Sequence, residues 1–281
     1  MLRKFFRKQK GYALINILGL SLGMAVALLI GLWIRDELSF DTYHAKHRSL
    51  AQVMLTQTYN GQTGTFAAVS IPMGMELRTK WASSFAHVAL TSWNYAHTLA
   101  VGDKKISQAG MFAQAELPGM LTLHMLRGRQ DAMKDPSALL LDQSTAKALF
   151  GDQDPMGKTI RVDDKTDVTV AGVYEDLPLN TTLHDIHYLL TWEKYLTFYD
   201  FLQTAQQEWG NQSFQIFVEM NPHVDMGSTT RAIRYLTRSH NKEGNQELVL
   251  QPMDNWHLYS TFENGKVVGG RIQFVWLNPW N

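Results

Sequence analysis

Three groups of residues carry spacings associated with chemistry. Gly19-Leu20-Ser21-Leu22-Gly23 has the form G-x-S-x-G. That form makes a serine nucleophile only where a strand turns sharply into a helix. Gly151-Asp152-Gln153-Asp154-Pro155-Met156-Gly157-Lys158-Thr159 resembles a phosphate loop, but five residues separate its glycines and two of them are aspartates. A phosphate loop has four, avoids negative charge, and joins a strand to a following helix. His44-x-x-His47 and His184-x-x-His187 could each place two imidazoles on one helix face. A zinc site takes three or four ligands, and no cysteine stands nearby to complete one. Asn180-Thr181-Thr182 and Asn211-Gln212-Ser213 have the form of glycosylation sequons and nothing further. No catalytic, cofactor-binding or metal-binding constellation is expected, and no enzymatic activity.

The elements around these residues decide their use. Residues 13–34, ALINILGLSLGMAVALLIGLWI, run for 22 residues without a charge. A bilayer core about 30 Å thick needs roughly 20 such residues. The serine of the first motif therefore lies inside a span. Arg3, Lys4, Arg7, Lys8 and Lys10 precede the span, while Arg35, Asp36, Glu37 and Asp41 follow it. The basic flank stays in the cytoplasm, so residues 1–12 are expected inside and residues 35 onward outside. A cleaved signal peptide is the rival reading, but its apolar run is shorter and Leu32-Trp33-Ile34-Arg35 is a poor cleavage site. Gly19, Gly23, Ala27 and Gly31 recur at every fourth position, with Asn16 polar among them. This stripe reads as a packing face for partner helices.

Composition bounds the rest. The 281 residues contain 26 basic and 26 acidic side chains. Residues 1–34 hold five of the basic ones and no acid, which leaves the remainder at −5. A mildly acidic outer domain argues against a nucleic-acid partner. The absence of cysteine removes disulfides, a lipoprotein anchor and thiolate metal ligation.

The outer part reads as an α+β domain of mixed order. Strands are expected at 49–58, 65–70, within 87–101 (Val88, Leu90, Trp93), at 138–141, 158–162, 167–173, 214–220 and 247–251. In the last but one, Phe214, Ile216 and Val218 alternate inward. Helices are expected from Pro72 (Met73, Leu77, Trp81 inward), at 144–150 with Gly151 as the stop, at 192–209 and at 229–237.

Four stretches together resemble the MacB/FtsX-like permease family of ABC transporters. Ala13 to Leu20, continuing to Asp36-Glu37-Leu38-Ser39-Phe40-Asp41, is similar to that family's first transmembrane helix and its exit. Thr145-Ala146-Lys147-Ala148-Leu149-Phe150-Gly151, Pro155-Met156-Gly157-Lys158 and Val170-Ala171-Gly172-Val173 are similar to its AKxLFG, PxGK and VxGV run. Glu175-Asp176-Leu177-Pro178-Leu179-Asn180 resembles the turn that follows. Leu250 to Met253, His257 to Ser260 and Gly269 to Ile272 resemble the return toward a second span.

The resemblance implies one transmembrane helix at 13–34 and a periplasmic core domain of two α+β subdomains at 35–277, in the bacterial inner membrane. It implies an ATPase as a separate subunit or domain, further permease helices or a second copy, and a periplasmic adaptor or cargo. Its role would be to couple ATPase-driven motion to export or mechanical work. The ending Asn278-Pro279-Trp280-Asn281 departs from the pattern and reads as a truncation. A membrane-anchored sensor or binding module, with one helix and an outer domain, is the alternative, and an anchored hydrolase a third.

Overall fold

The structure is a computed structural model and describes residues 10–240 and 245–270. The chain forms two units, divided between Phe40 and Asp41. The first is a single helix, α1 (Lys10–Leu38). At about 1.5 Å per residue it extends roughly 43 Å, enough to cross a bilayer core of about 30 Å. Every residue from 14 to 36 is exposed, leucines and isoleucines included. An apolar surface of this extent needs lipid or protein around it. The G-x-S-x-G run lies within continuous helix and has no strand-to-helix elbow. Arg3, Lys4, Arg7 and Lys8 fall outside the described residues, as do 271–281 with the expected approach to a second span and the 278–281 end. Lys10 opens α1.

The second unit runs β1 (Leu50–Tyr59), β2 (Gln62–Phe66), α2 (Ile71–Lys80), β3 (Phe85–Thr91), β4 (Tyr95–Val101), β5 (Lys104–Ala113), α3 (Leu117–Met120), β6 (Met125–Gly128), β7 (Ala138–Asp142) and α4 (Gln143–Phe150). It continues with β8 (Thr159–Val162), β9 (Thr166–Tyr174), β10 (Tyr188–Thr191), α5 (Trp192–Phe198), α6 (Leu202–Ala205), β11 (Gln215–Met220), α7 (Met226–Ile233), β12 (Asn245–Pro252) and the small hairpin β13 (Thr261–Glu263) and β14 (Lys266–Gly269).

One twelve-stranded sheet runs in the order β10-β7-β9-β8-β4-β5-β3-β11-β1-β12, with β2 on β1 and β6 on β9. A parallel pairing of β10 with β5 joins the first part back onto itself. Strands β5, β10, β7, β9, β8 and β4 therefore close into a barrel. The other four strands form an open antiparallel sheet. Its chain order is β1-α2-β3, then β11-α7-β12, and its spatial order places the fourth strand beside the first and the third beside the second. That is the ferredoxin-like split βαβ arrangement. The barrel is an insertion between its second and third strands. The two subdomains remain one hydrogen-bonded sheet, joined by the pairing of Thr91 with Ala113.

Two apolar layers cover the two faces. The larger fills the barrel and the space under α2 and α7, with Leu139, Leu141, Val168, Val170, Leu190, Val53, Leu55, Leu77 and Ile233. The smaller covers the opposite face with Met111, Leu140, Leu189, Phe217, Met253 and Trp256. Successive strand residues point to opposite faces, so Leu139 and Leu141 enter one layer and Leu140 the other. For the same reason the inward set of β11 is incomplete: Phe217 is also buried, on the second face.

Other expectations shift. The hairpin turn is Asn60-Gly61, both at positive φ (50° and 78°), so β2 begins at Gln62 and contains Gly64. This is a two-residue turn suited to strand twist. The region 87–101 holds two strands, with Trp93 in the link between them. The 192–209 helix divides because Tyr199 is extended, at φ −133° and ψ 127°. Phe198 packs on Phe112 and His97 of the barrel, and Tyr199 edges onto Tyr195. Packing these two half-buried rings against their aromatic neighbours outweighs the hydrogen bonds of a continuous helix. The helix expected at 229–237 begins at Met226, capped by Asp225, and leaves regular α geometry after Ile233.

Candidate functional site

Residues 41–47, which follow α1 in the chain, form a polar junction within the second unit. Asp41 is fully buried and sits at φ 62°, a left-handed conformation that aspartate tolerates better than most residues. This bend turns its carboxylate onto the loop after β9. Oδ1 accepts from Thr181 Oγ1 at 2.7 Å and from the Thr182 amide at 2.6 Å. Oδ2 accepts from Thr182 Oγ1 at 2.7 Å. The Asp41 amide donates to the Asn180 carbonyl at 2.9 Å. Three charge-assisted hydrogen bonds satisfy a carboxylate that burial would otherwise strongly penalise.

His44, also fully buried, donates from Nδ1 to the Leu121 carbonyl at 2.7 Å, and its Nε2 lies 3.0 Å from Thr181 Oγ1. Burial holds its pKa below the usual 6.5, with the Leu121 bond and the Asp41 charge opposing. Next, the Ala45 amide donates to Thr122 Oγ1 at 2.9 Å. Thr122 is a β-branched residue at φ 51°, a conformation that costs on the order of 1–3 kcal/mol.

The following residues reach the other subdomain. Lys46 pairs with Glu219 on β11 at 2.9 Å. His47 pairs with Asp254, just beyond β12. Residues 41–47 thus bind the barrel half through Asp41, His44 and Ala45, and the ferredoxin-like half through Lys46 and His47. The chain then enters β1, which pairs with β2, β11 and β12.

The sequence motifs have structural roles here. Asp142 caps α4 through the Thr145 amide at 2.8 Å, and Asp176 accepts from the Ser144 amide at 2.8 Å. Gly151 stops the helix at φ 61° and ψ −125°, open essentially to glycine alone. Gly157 donates to the Val170 carbonyl and Val170 to the Lys158 carbonyl, both at 2.9 Å. The glycine-rich segment is therefore the turn that sends the chain from α4 into the barrel, with a helix before it and a strand after.

The histidine pairs separate. His44 and His47 have the partners given above, His184 bonds the Thr181 carbonyl, and His187 bonds Asp142 at 2.7 Å. Neither pair lies on an α-helix. Among the described residues no group of three or more His, Cys, Asp or Glu is placed to hold a metal ion. The stripe Asn16, Gly19, Gly23, Ala27 and Gly31 lies on exposed α1, where a Cβ added at Gly19, Gly23 or Gly31 would meet nothing within 4 Å.

Sequence reading did not single out the Asp41–Thr181–Thr182 junction. Its parts are 140 residues apart, and a lone Asp and two threonines carry no spacing signal. Both ends did fall in or beside stretches that resemble the permease family.

A family model for the MacB-like periplasmic core domain matches residues 13–236. No curated protein matches the chain. Among solved structures, a domain of a protein described as a permease from Porphyromonas gingivalis superposes with a TM-score of 0.60 at 20% identity, covering 74% of this chain and 90% of that one. The periplasmic region of MacB from Actinobacillus actinomycetemcomitans gives 0.53 at 17% identity, with 72% and 88% covered. The extracellular domain of the noncanonic ABC-type transporter YknZ from Gram-positive bacteria gives 0.51 at 14% identity, with 71% and 99% covered. At these identities the likeness is one of fold, and it agrees with an apolar helix leading into a mixed α/β core. Matched from within its apolar helix to beyond its last long helix, the chain belongs to the MacB-like periplasmic core domain family.

Proposed function

We propose that this chain is the N-terminal portion of an ABC transporter permease, whose outer domain couples the motion of an ATPase to export or mechanical work. The observation that carries the reading is the root segment. Seven residues beyond a helix long enough to span a membrane hold both subdomains at once. Displacement of such a segment is passed to both halves rather than absorbed in a flexible linker. The basic residues Arg3, Lys4, Arg7, Lys8 and Lys10 favour a cytoplasmic N-terminus in the inner membrane and a periplasmic domain from residue 35. The Asn16, Gly19, Gly23, Ala27, Gly31 stripe supports close packing against further permease helices or a second copy. ATP hydrolysis belongs to a separate subunit in this reading.

The test is to tag the full chain and recover it with its partners from native membranes. An ATP-hydrolysing subunit is expected, with less of it recovered for Gly23→Leu at equal membrane insertion. Asp41→Ala is expected to change the hydrolysis rate of the recovered complex at least about twofold. Recovery of a signalling output protein without an ATPase would favour the anchored sensor instead and overturn the proposal.

A further inference from the structure

A cavity of about 400 Å³ lies on the sheet face opposite α2 and α7, at the seam between the two subdomains. Small-molecule sites range from about 300 to 1,000 Å³ and favour such seams. Its floor is formed by β1, β11 and β5: Gln52, Met54, Gln215, Phe217 and Met111. One wall is the link Trp93-Asn94 and the 182–186 loop. The other is the segment that carries Trp256 and Phe262.

The lining has a definite chemistry. Among the described residues it contains no lysine or arginine, and its single charged residue is Asp185. Phosphates and carboxylates find no counter-charge among these residues. Aromatic rings of Trp93, Phe217, Trp256 and Phe262 supply apolar faces. Gln52 and Gln215 are half-buried polar side chains on a strand face that is otherwise largely apolar. Asn94 donates to the Asp185 carbonyl at 3.2 Å, but its Oδ1 is buried without a partner. A primary amide offers an acceptor and two donors side by side, which matches vicinal hydroxyls.

The cavity is also held open by its own walls. Gln251 donates to the Tyr259 carbonyl at 2.8 Å, and Trp256 Nε1 donates to the Gln251 carbonyl at 2.9 Å. On the other side Thr182 is fixed by Asp41, and Tyr174 donates to the Ile186 carbonyl at 2.7 Å. Walls fixed in this way spare a ligand the ordering cost of closing them.

We propose that this seam cavity binds an uncharged polyhydroxylated ring compound, a mono- or disaccharide, with its apolar ring face on the aromatic side chains and its hydroxyls on Gln52 and Gln215. The proposal does not rest on the coupling reading, because the lining is the same whether or not the domain transmits motion.

The test uses the full chain in lipid nanodiscs free of sugar-headgroup detergent. Glucose, maltose, cellobiose and di-N-acetylchitobiose are titrated while tryptophan fluorescence and heat are followed. A saturable response to at least one is expected, weakened about tenfold or more in Gln52→Leu/Gln215→Leu and in Trp93→Ala, with circular dichroism unchanged. If Gln52→Leu/Gln215→Leu loses its fold, Trp93→Ala, which lies in the link rather than a strand, carries the test. No saturable response to any of the four sugars would overturn the proposal. So would binding that survives the substitutions in folded protein, or saturable displacement of the sugar by a single-chain lysolipid, which would mark the cavity as an apolar site.

Discussion

Asp41 is the residue on which the root junction turns. Asp41→Ala removes the acceptor of three donors in a buried site and places alanine at φ 62°. The stranded Thr182 amide and threonine hydroxyls, with the backbone strain, are expected to cost about 3 kcal/mol. Urea denaturation should show this as a lower midpoint at unchanged slope. His44 gives the same junction a pH dependence. Its folded pKa lies below 6.5, so below that pH the unfolded chain binds more protons than the folded one. Stability therefore falls as pH is lowered from 7 to 5. The groups facing the ring are Asp41, His47 and Tyr43. In His44→Gln this part of the acid sensitivity should vanish, so the gap between wild type and variant narrows on acidification. A gap that widens on acidification would contradict it. None of this was legible in the sequence, where His44 stands only as half of a histidine pair that no further ligand completes. A long-range hydrogen bond leaves no mark on local spacing.

At the scale of elements the sequence was more informative where a single local rule decided the outcome. The α4 segment shows it: Asp142 caps, Ala146, Leu149 and Phe150 face inward, and Gly151 stops the helix. Rules of this kind act within four residues. The 192–209 region failed because its aromatic spacing fits a helix, while the decision belongs to barrel side chains such as Phe112 that meet Phe198 only in the fold. Strand β5 was missed for a related reason. Its first half, Lys104 to Gln108, is largely exposed and polar, and only its last four residues are buried. Close backbone approach was equally invisible. Gly128 has φ 74°, and a Cβ there would lie 2.3 Å from the Ala171 carbonyl oxygen. Gly128→Ala must push β6 off β9, at a cost of about 3 kcal/mol. Hydrogen exchange should show lost protection at the β6–β9 pairing, centred on Arg127 and Val173. Protection equal to wild type would mean that β6 can shift without loss.

For the whole molecule, the charge asymmetry and the apolar run could be read at once, because a bilayer imposes length and polarity on contiguous residues. The ferredoxin-like unit could not. Its halves are separated by the inserted barrel, so β3 and β11, neighbours in the sheet, lie more than a hundred residues apart in the chain. The seam cavity exists only because of that insertion. The absence of cysteine makes the expected orientation of the basic flank and the outer domain directly measurable. Asp152 is exposed in the turn after α4, and Lys4 lies in the basic flank. Asp152→Cys and Lys4→Cys give single thiols, one after and one before α1 in the chain. With the basic flank held in the cytoplasm, a membrane-impermeant maleimide should label residue 152 in spheroplasts and residue 4 only after permeabilisation. The reverse pattern would place the domain inside the cell and remove the periplasmic coupling role. Labelling of both sites in intact spheroplasts would mean that α1 does not span the membrane.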